Sequence, residues 1–364
     1  MITLDGAYGE GGGALVRTAL ALSTLTGQEF NVTNIRAGRE HGGLKAQHLQ
    51  SITALKQICK AQTNEVEIGS TELWFKPGNI KSGRYEFDIG TAGSITLFLQ
   101  AIILPCLFAP AKVTITVKGG TCGKWQASVD YLQNLLLPQL HRFVDKIELK
   151  IVKRGYYPKG GGIVQLEISP RFKLKDAEDF VSWYEEAQGK IAKIKLVEQG
   201  KLEQIRGIIN ASVQLQDKEV AQRIKNAAQN SLKKYGVPLS IREEYTIAES
   251  IGGELILWGI YSNQGRVDFD NPIILGGDAL IELGKSSEEV GKEAAQELRA
   301  EMESDAAVDY HIADQLIPFM ALLPGSLIRA RQVSNHTLTN IYVAEQFVPV
   351  GFKVEGNVVK VEPN

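Results

Sequence analysis

Cysteine, net charge and long apolar runs are all scarce in this chain of 364 residues. Its three cysteines, Cys59, Cys106 and Cys122, stand far apart and match no zinc-binding spacing, which predicts a protein of a reducing, cytoplasmic compartment. A net charge of −2 excludes binding of nucleic acid through overall charge, so such binding would need a local basic patch. The most apolar run, Ile95 to Phe108, falls short of the roughly 20 residues of a membrane span, so we expect no membrane partner. Because no basic segment followed by an apolar one opens the chain, we also predict no secretory signal.

Glycine, in contrast, is concentrated in a few loops. The most informative is the segment RGYYPKGGG at Arg154 to Gly162, which lies between two strand-like runs, Ile147 to Val152 and Ile163 to Ile168. Its three consecutive glycines can adopt positive φ and turn several N–H groups toward one point, while Arg154 and Lys159 bring cations to the same loop. A long hairpin loop without a ligand explains the same pattern.

One order of elements recurs three times along the chain. In each unit a helix, a strand, a polar loop and a second helix are followed by paired strands. Glycine-rich turns at Gly9 to Gly13 and Gly90 to Ser94 precede the first two units, and the third begins with the helix Asp314 to Leu323. We interpret these as three βαβαββ-like units of an α/β (α+β) fold, each burying its helices on one face of a sheet. Coincidence among ordinary α/β elements is the alternative.

The segment from about Trp183 to Pro272 does not fit the repeat. It is richer in Lys, Glu and Gln, and it predicts a strand at Gly207 to Val213 and a helix at Lys218 to Tyr235, followed by further strands. The simplest interpretation is a small α/β domain, residues 184–272, inserted into a catalytic domain made of residues 1–183 and 273–364.

Three familiar nucleotide motifs fail on inspection. The run Gly9 to Ala14 satisfies the dinucleotide fingerprint, but no acidic residue ends the next strand. The run Gly284 to Ser286 resembles the end of a P-loop, but Ala279 stands where the earlier glycine is required. No Lys-x-Asp-Gly occurs, so the lysine nucleophile of ordinary nucleic-acid ligases is absent.

A histidine is therefore the candidate nucleophile. His336 lies in SNHTLTN, between a predicted strand and a predicted helix. A neutral imidazole near a helix N-terminus can attack phosphorus, and the helix dipole favours the anionic group that it meets. A capping or surface histidine is the alternative.

Five short motifs occur between Asp5 and about Phe352. They are GEGGG at Gly9–Gly13, NIRAGR at Asn34–Arg39, RGYYPKGGGIV at Arg154–Val164, HIADQLIP at His311–Pro318 and HTLTN at His336–Asn340. Together, and in this order, they resemble the RNA 3′-terminal phosphate cyclases, and RGYYPKGGGIV is highly specific to that family. The family's three repeated units and its inserted small domain match the organisation inferred above.

The resemblance implies an ATP-dependent ligase, or nucleotidyl transferase, that works in three steps. A histidine attacks the α-phosphorus of ATP, which releases pyrophosphate and leaves a histidine–AMP. The AMP then passes to the 3′-phosphate of an RNA end. Finally the neighbouring 2′-hydroxyl attacks that phosphate, giving a 2′,3′-cyclic phosphate and free AMP. The implied partners are ATP and RNA with a 3′-phosphate end, and a homodimer is compatible with the sequence.

The resemblance also implies a role for each matching residue. His336 is the nucleophile, and Glu10 is the ligand of a Mg²⁺ or Mn²⁺ ion, since a lone carboxylate among glycines suits a largely hydrated metal. The implied ATP contacts are Gln100, His311, Ile312, Ala313, Asp314 and Gln315. Guanidinium groups bind phosphate in a bidentate manner. The implied contacts with the RNA phosphates are Arg17, Arg36, Arg39 and Gln47. The alternatives are a surface position on a helix for Arg17, and helix capping for Asp314 and Gln315.

The chain departs from the family pattern in two places. The loop Gly119 to Gln126 lacks the prolines and the acidic residue expected there, and His311 stands where a tyrosine can occur. Both positions could touch the adenine, so the stacking partner stays open between His311 and Trp125.

A non-catalytic, cyclase-like RNA-binding protein of ribosome assembly is the alternative function. Such relatives keep the fold and lose the histidine, whereas this chain has His336 together with Glu10, Arg36 and Arg39. The enzyme is therefore favoured. An enolpyruvyl-transferase-like enzyme, built from similar repeated units, is disfavoured by the histidine segment and by the arginines.

Overall fold

The computed structural model describes residues 1–9, 11–263 and 265–364. The strands are β1 (Ile2–Asp5), β2 (Phe30–Thr33), β3 (Gln62–Thr63), β4 (Leu73–Lys76), β5 (Gly83–Asp88), β6 (Val113–Gly119), β7 (Val144–Lys153), β8 (Gly162–Pro170), β9 (Lys195–Leu196), β10 (Lys201–Ser212), β11 (Leu239–Thr246), β12 (Gly253–Ser262), β13 (Ile274–Leu280), β14 (Leu327–Arg329), β15 (Val350–Glu355) and β16 (Val358–Pro363). The α-helices are α1 (Ala14–Thr26), α2 (Ala46–Cys59), α3 (Ile95–Gln100), α4 (Ile103–Cys106), α5 (Val129–Tyr131), α6 (Leu137–Leu140), α7 (Phe180–Lys190), α8 (Val220–Leu232), α9 (Ser287–Met302), α10 (Tyr310–Gln315), α11 (Ile317–Ala321) and α12 (Asn335–Phe347). A π-helical turn at Leu132–Leu136 joins α5 to α6, and 3-10 turns occur at His141–Phe143, Leu174–Asp176, Val213–Lys218 and Lys233–Tyr235.

Three sheets in the described part of the chain share one strand order. β1 pairs in parallel with β2, β2 pairs antiparallel with β4, and β4 pairs antiparallel with β3. The same arrangement recurs in the order β5-β6-β8-β7 and in the order β9-β14-β16-β15. The predicted α/β fold class is confirmed.

A fourth sheet has the order β11-β10-β12-β13, and α8 and α9 pack against it. This sheet spans residues 201–280, so it includes β13, which follows the predicted inserted segment 184–272. The short strand β9 lies within that segment but pairs with β14 in the third sheet. The predicted domain boundaries stay a prediction.

Helix α1 lies at the centre of the molecule. It contacts α2, α3, α4 and α12, and its residues from Ala14 to Leu25 are all buried. A helix that is apolar on nearly every side belongs in the interior, which explains why the sequence shows no polar face there. The helix ends at Gly27, whose left-handed φ of +75° lets its N–H bond the carbonyl of Ser23 at 2.9 Å. The polar side chains of α1 are therefore surrounded by other parts of the protein.

The RGYYPKGGG segment is the hairpin that connects β7 to β8. Arg154 is 5% exposed and forms ion pairs with Asp130 and, at 2.8 Å, with Glu244. A Cβ at Gly160 would overlap the carbonyl oxygen of Thr91, so this glycine permits a close backbone approach. The guanidinium of Arg154 is thus enclosed by protein carboxylates. It does not extend to a ligand. For Arg154, the alternative of a hairpin loop without a ligand is therefore the one that fits.

No helix within the described residues is both long and apolar enough to cross a lipid bilayer. The three cysteines are buried and form no disulfide with one another, and burial raises the pKa of the Cys106 thiol to about 12.

We expect Arg154→Met to lower the free energy of unfolding by about 3–5 kcal/mol, because it leaves the fully buried Asp130 without its cation. Urea denaturation near neutral pH measures this loss. The matched control is Arg171→Met, which removes an exposed partner of Asp145 and should cost at most about 1 kcal/mol. Equal losses for the two variants would contradict a structural role for the buried pair.

Candidate active site

One cavity of about 300 Å³ brings together side chains from distant parts of the chain. Its wall contains the first turns of α1, α3, α10 and α12 and the loop residues 125–127. Six of the predicted site residues line it: Arg17, Gln100, His311, Asp314, Gln315 and His336. The apolar part of the wall includes Leu132, Leu136, Pro318 and Phe319. A mostly apolar cavity with a few convergent polar groups is typical of a small-molecule site.

His336 is the second residue of α12. The helix is capped by Ser334, whose Oγ accepts a hydrogen bond from the Thr337 N–H at 3.0 Å. The cap is therefore not His336, and the capping alternative for this histidine is wrong. Its side chain is partly exposed and faces the cavity, so the imidazole is accessible to a ligand bound there.

One side-chain amide ties three of these helices together. Asn340 on α12 accepts a hydrogen bond from the Thr18 hydroxyl on α1 at 2.8 Å, and it donates to the carbonyl oxygen of Asp314 on α10 at 2.9 Å. The glycine-rich loop also lies directly against α12, since a Cβ at Gly9 would overlap the hydroxyl of Thr339. The relative positions of α1, α10 and α12 are fixed by these contacts.

Arg17 enters the cavity from the buried helix α1 and is only 8% exposed. Its Nε donates to the Gln100 side-chain oxygen at 2.8 Å, and one of its terminal nitrogens lies 3.5 Å from Nε2 of His48. A Cβ at Gly13 would overlap the His48 ring and crowd Arg17. The surface-helix alternative for Arg17 is therefore wrong.

His48 lies between the cavity and the basic loop of residues 36–45. Its Nδ1 accepts a hydrogen bond from the backbone N–H of Lys45 at 3.0 Å. Burial first, and then the charges of Arg17, Arg36 and Lys45, lower the pKa of His48 to about 3. The ring is thus neutral near pH 7, and three cations surround it. The buried guanidinium of Arg17 and the cations of the basic loop therefore act on the same imidazole ring.

The other predicted RNA contacts lie outside the cavity wall. Arg36 has a positive φ of +56° and donates to two carbonyl oxygens of its own loop at 2.9 and 3.2 Å. Partial burial, and then the charge of Arg39, lower the pKa of Arg36. Arg39 is exposed on the same loop, and Gln47 is half-buried in the first turn of α2. These residues adjoin the cavity through His48.

Helix α10 carries the remaining residues of the predicted ATP segment. Ile312 and Ala313 are each 1% exposed and belong to the apolar core, so they present no accessible side chain to the cavity. The N-terminal cap of α10 is Asp309, which accepts hydrogen bonds from the backbone N–H groups of His311 and Ile312 at 3.0 and 2.9 Å. The N-terminal capping role considered for Asp314 and Gln315 is therefore filled by Asp309.

Glu10 lies outside the described residues, and its role as a metal ligand stays a prediction. Within the part of the chain that the structure describes, no group of three or more His, Cys, Asp or Glu side chains is arranged to hold a metal ion.

Sequence reasoning missed the groups that support His311. The Tyr131 hydroxyl donates to Asp309, and the Tyr131 ring meets the His311 ring edge-on with centroids 5.6 Å apart. On the far side, His311 borders a second cavity of about 400 Å³ that is lined by carboxylates, including Asp278 and Glu301. Burial, and then the charge of Asp309, raise the pKa of Glu301 to about 7. An Asp just before a helix is a capping signal that could have located Asp309, whereas nothing in the sequence marks Tyr131.

Both candidates for the adenine-stacking position border the active-site cavity. Trp125 is 95% exposed at its edge, on a backbone with a φ of +60°, and His311 is packed into its wall.

The chain is similar to known proteins along almost its whole length. A family profile described as RNA 3′-terminal phosphate cyclase matches residues 8–354. The chain is 39% identical over 360 residues to the RNA 3′-terminal phosphate cyclase of Pyrococcus furiosus, covering 98% of this chain and 96% of that protein. It is 40% identical over 359 residues to that of Archaeoglobus fulgidus, covering 98% of both chains. For Methanosarcina barkeri the identity is 42% over 355 residues, with 98% and 97% covered. The resemblance is thus confirmed along almost the whole sequence, and the chain belongs to the RNA 3′-terminal phosphate cyclase family.

Proposed function

We propose that the protein converts the 3′-terminal phosphate of RNA into a 2′,3′-cyclic phosphate with ATP as co-substrate, through a covalent histidine–AMP and an RNA–adenylate. The observation that carries this proposal is the position of His336. It stands in the first turn of a helix, in a cavity that also contains Arg17, Gln100 and Asp314. The names of the similar proteins support the same activity.

In the first step, an unprotonated nitrogen of His336 attacks the α-phosphorus of ATP. The new N–P bond forms as the bond to the bridging oxygen breaks, and pyrophosphate leaves with that electron pair. Transfer at phosphorus depends on in-line positioning and charge neutralisation more than on covalent complexity. In this proposal the base binds against the apolar part of the cavity wall, and Gln100, Asp314 and Gln315, which line the same cavity, orient the nucleotide.

In the second step, an oxygen of the RNA 3′-phosphate attacks the AMP phosphorus, the N–P bond breaks, and His336 recovers its electron pair. In the third step, the 2′-oxygen attacks the activated 3′-phosphorus as its hydroxyl proton is lost, and AMP leaves. Arg17 is proposed to bind the terminal phosphate from inside the cavity, and its hydrogen bond to Gln100 supports this role. Arg36, Arg39 and Gln47 are proposed to bind the strand outside, assisted by the other cations around His48.

A divalent metal on the ATP phosphates belongs to the proposal through Glu10. Glu10 would hold the ion together with substrate oxygens, as suits Mg²⁺ or Mn²⁺. When bound, such an ion would neutralise phosphate charge.

We expect His336→Ala to abolish covalent labelling by α-labelled ATP, because it removes the attacking nitrogen. The label on the wild type should be acid-labile and base-stable, as a phosphoramidate is. His311→Ala is the matched control: it should take up label at high ATP concentration, because the loss is in binding. Label persisting on the His336→Ala protein would overturn the assignment.

We expect different residues to affect different half-reactions. Glu10→Ala should mainly slow self-adenylation, whereas Arg36→Ala and Arg39→Ala should accumulate adenylated enzyme and slow transfer to RNA. Loss of one charge-assisted contact should reduce transfer about 10- to 100-fold. Single-turnover measurements of each half-reaction separate these effects, and equal losses in both for all three variants would contradict this division.

We expect the 2′-hydroxyl of the RNA end to be essential for the last step only, because its oxygen is the nucleophile. A strand ending in 2′-deoxyribose 3′-phosphate should accept AMP and stall as the adenylylated strand, while the matched ribose end should cyclise. Denaturing gel electrophoresis of end-labelled strands distinguishes the products. Release of the unmodified deoxy-ended strand, with no trapped intermediate, would argue against the RNA–adenylate step.

A further inference from the structure

The hairpin Arg154 to Gly162 presents one large aromatic side chain to solvent from an otherwise fixed frame. Tyr157 is 78% exposed, whereas its neighbour Tyr156 is 2% exposed and donates a hydrogen bond from its hydroxyl to Asn210 at 2.9 Å. The backbone N–H of Lys159 donates to the Ser250 hydroxyl at 3.1 Å. A protein surface that exposes an aromatic ring on an immobilised loop pays little ordering entropy when a planar ligand stacks on it.

The hairpin is physically joined to two segments that continue into the wall of the active-site cavity. The backbone N–H of Thr121 donates to the Gly155 carbonyl at 2.9 Å, and the chain from Thr121 leads to Trp125 at the cavity edge. Gly160 packs against Thr91, from which the chain leads into α3 and Gln100. Both connections link the hairpin to segments that also line the cavity containing His336.

Lysines are grouped around Glu249, which lies against Gly161 of the hairpin. Lys153 forms an ion pair with Glu249 at 3.0 Å, and Lys118 forms one with Asp88 at 3.0 Å. Hydrogen bonding to Lys153, followed by the charges of Lys153, Lys118 and Lys159, lowers the pKa of Glu249. Three lysines therefore stand against two carboxylates, and Lys159 is exposed with no ion pair among the described residues.

We propose that Tyr157 and Lys159 form a track for single-stranded RNA, on which a nucleotide upstream of the reacting 3′-end stacks and makes phosphate contacts. Exposed aromatic rings combined with lysines are the groups that bind single strands without reading their sequence. This inference rests on the proposed function, because it takes the cavity as the place of the RNA end. Two exposed aliphatic residues nearby, Ile247 and Ile251, make a protein interface the competing use of the surface.

The track is tested on the full-length protein with two RNAs that end in 3′-phosphate, one of about 12 nucleotides and one of about three. Fluorescence anisotropy without ATP gives Kd, and steady-state turnover gives kcat and KM. Tyr157→Ala should raise Kd and KM for the longer RNA about 5- to 100-fold, the range expected for the loss of one stacked base. It should leave kcat, and all constants for the short RNA, unchanged. Tyr157→Phe should retain wild-type binding, because stacking needs the ring and not the hydroxyl.

The matched control is Phe269→Ala, which removes another exposed ring, 88% accessible, from a loop that contacts Arg142 rather than the hairpin. Equal binding of the long RNA by wild type and Tyr157→Ala would overturn the track. So would a Tyr157→Ala variant that binds RNA normally but changes the sedimentation mass, since the surface would then be a protein interface. If the wild type binds the long RNA through Tyr157 and does not cyclise it, the proposed reaction fails and the track stands. If it cyclises both RNAs with equal KM and Kd, the track fails and the reaction stands.

Discussion

The side-chain amide of Asn340 makes the bonds on which the geometry of the cavity depends. It accepts from Thr18 and donates to the carbonyl of Asp314, and so it joins α12 to α1 and to α10. An amide is suited to this position because it offers a donor and an acceptor at once, and both are satisfied here in a mostly buried place. Without it, α12 would lose directional bonds to both α1 and α10, and its packing against them would be less well defined. Sliding of α12 would move His336 relative to Arg17.

Each of the two glycine-rich regions adjoins a buried arginine. At the hairpin, the Arg154 guanidinium is matched by carboxylates of the protein, and the result is a rigid frame. In the cavity, Arg17 donates to the Gln100 side chain and lies 3.5 Å from the His48 ring. The similar compositions of the two loops do not reveal which groups each arginine contacts.

Several features of the site could be predicted from the sequence, because they depend on local patterns. His336 lies in the first turn of a helix with a serine cap, and the family resemblance implied roles for Gln100, Asp314 and Arg17, all of which line one cavity. The exceptions depend on long-range packing. Ile312 and Ala313 are adjacent to cavity-lining residues, but their own side chains are buried in the core. The His48 ring lies so close to Gly13 that a Cβ there would overlap it, and only the folded chain shows this contact. Likewise, β9 pairs with β14 in the third sheet and β13 pairs with β12 in the fourth. Their positions along the chain do not indicate these partners, because strand pairing depends on tertiary packing.

The meeting of several helix starts at one cavity has an electrostatic consequence there. The first turns of α1 and α12 line this cavity, as do those of the shorter helices α3 and α10. Peptide N–H groups at a helix start carry partial positive charge, which at α10 is offset by the capping carboxylate of Asp309. Peptide dipoles do not titrate, so this part of the attraction for anions persists at pH values where histidines and carboxylates change charge. Unlike the exposed arginines of the outer loop, it also lies within a partly enclosed space, where salt screens it less. The backbone thus supplies a constant background field, on which the side chains add selectivity.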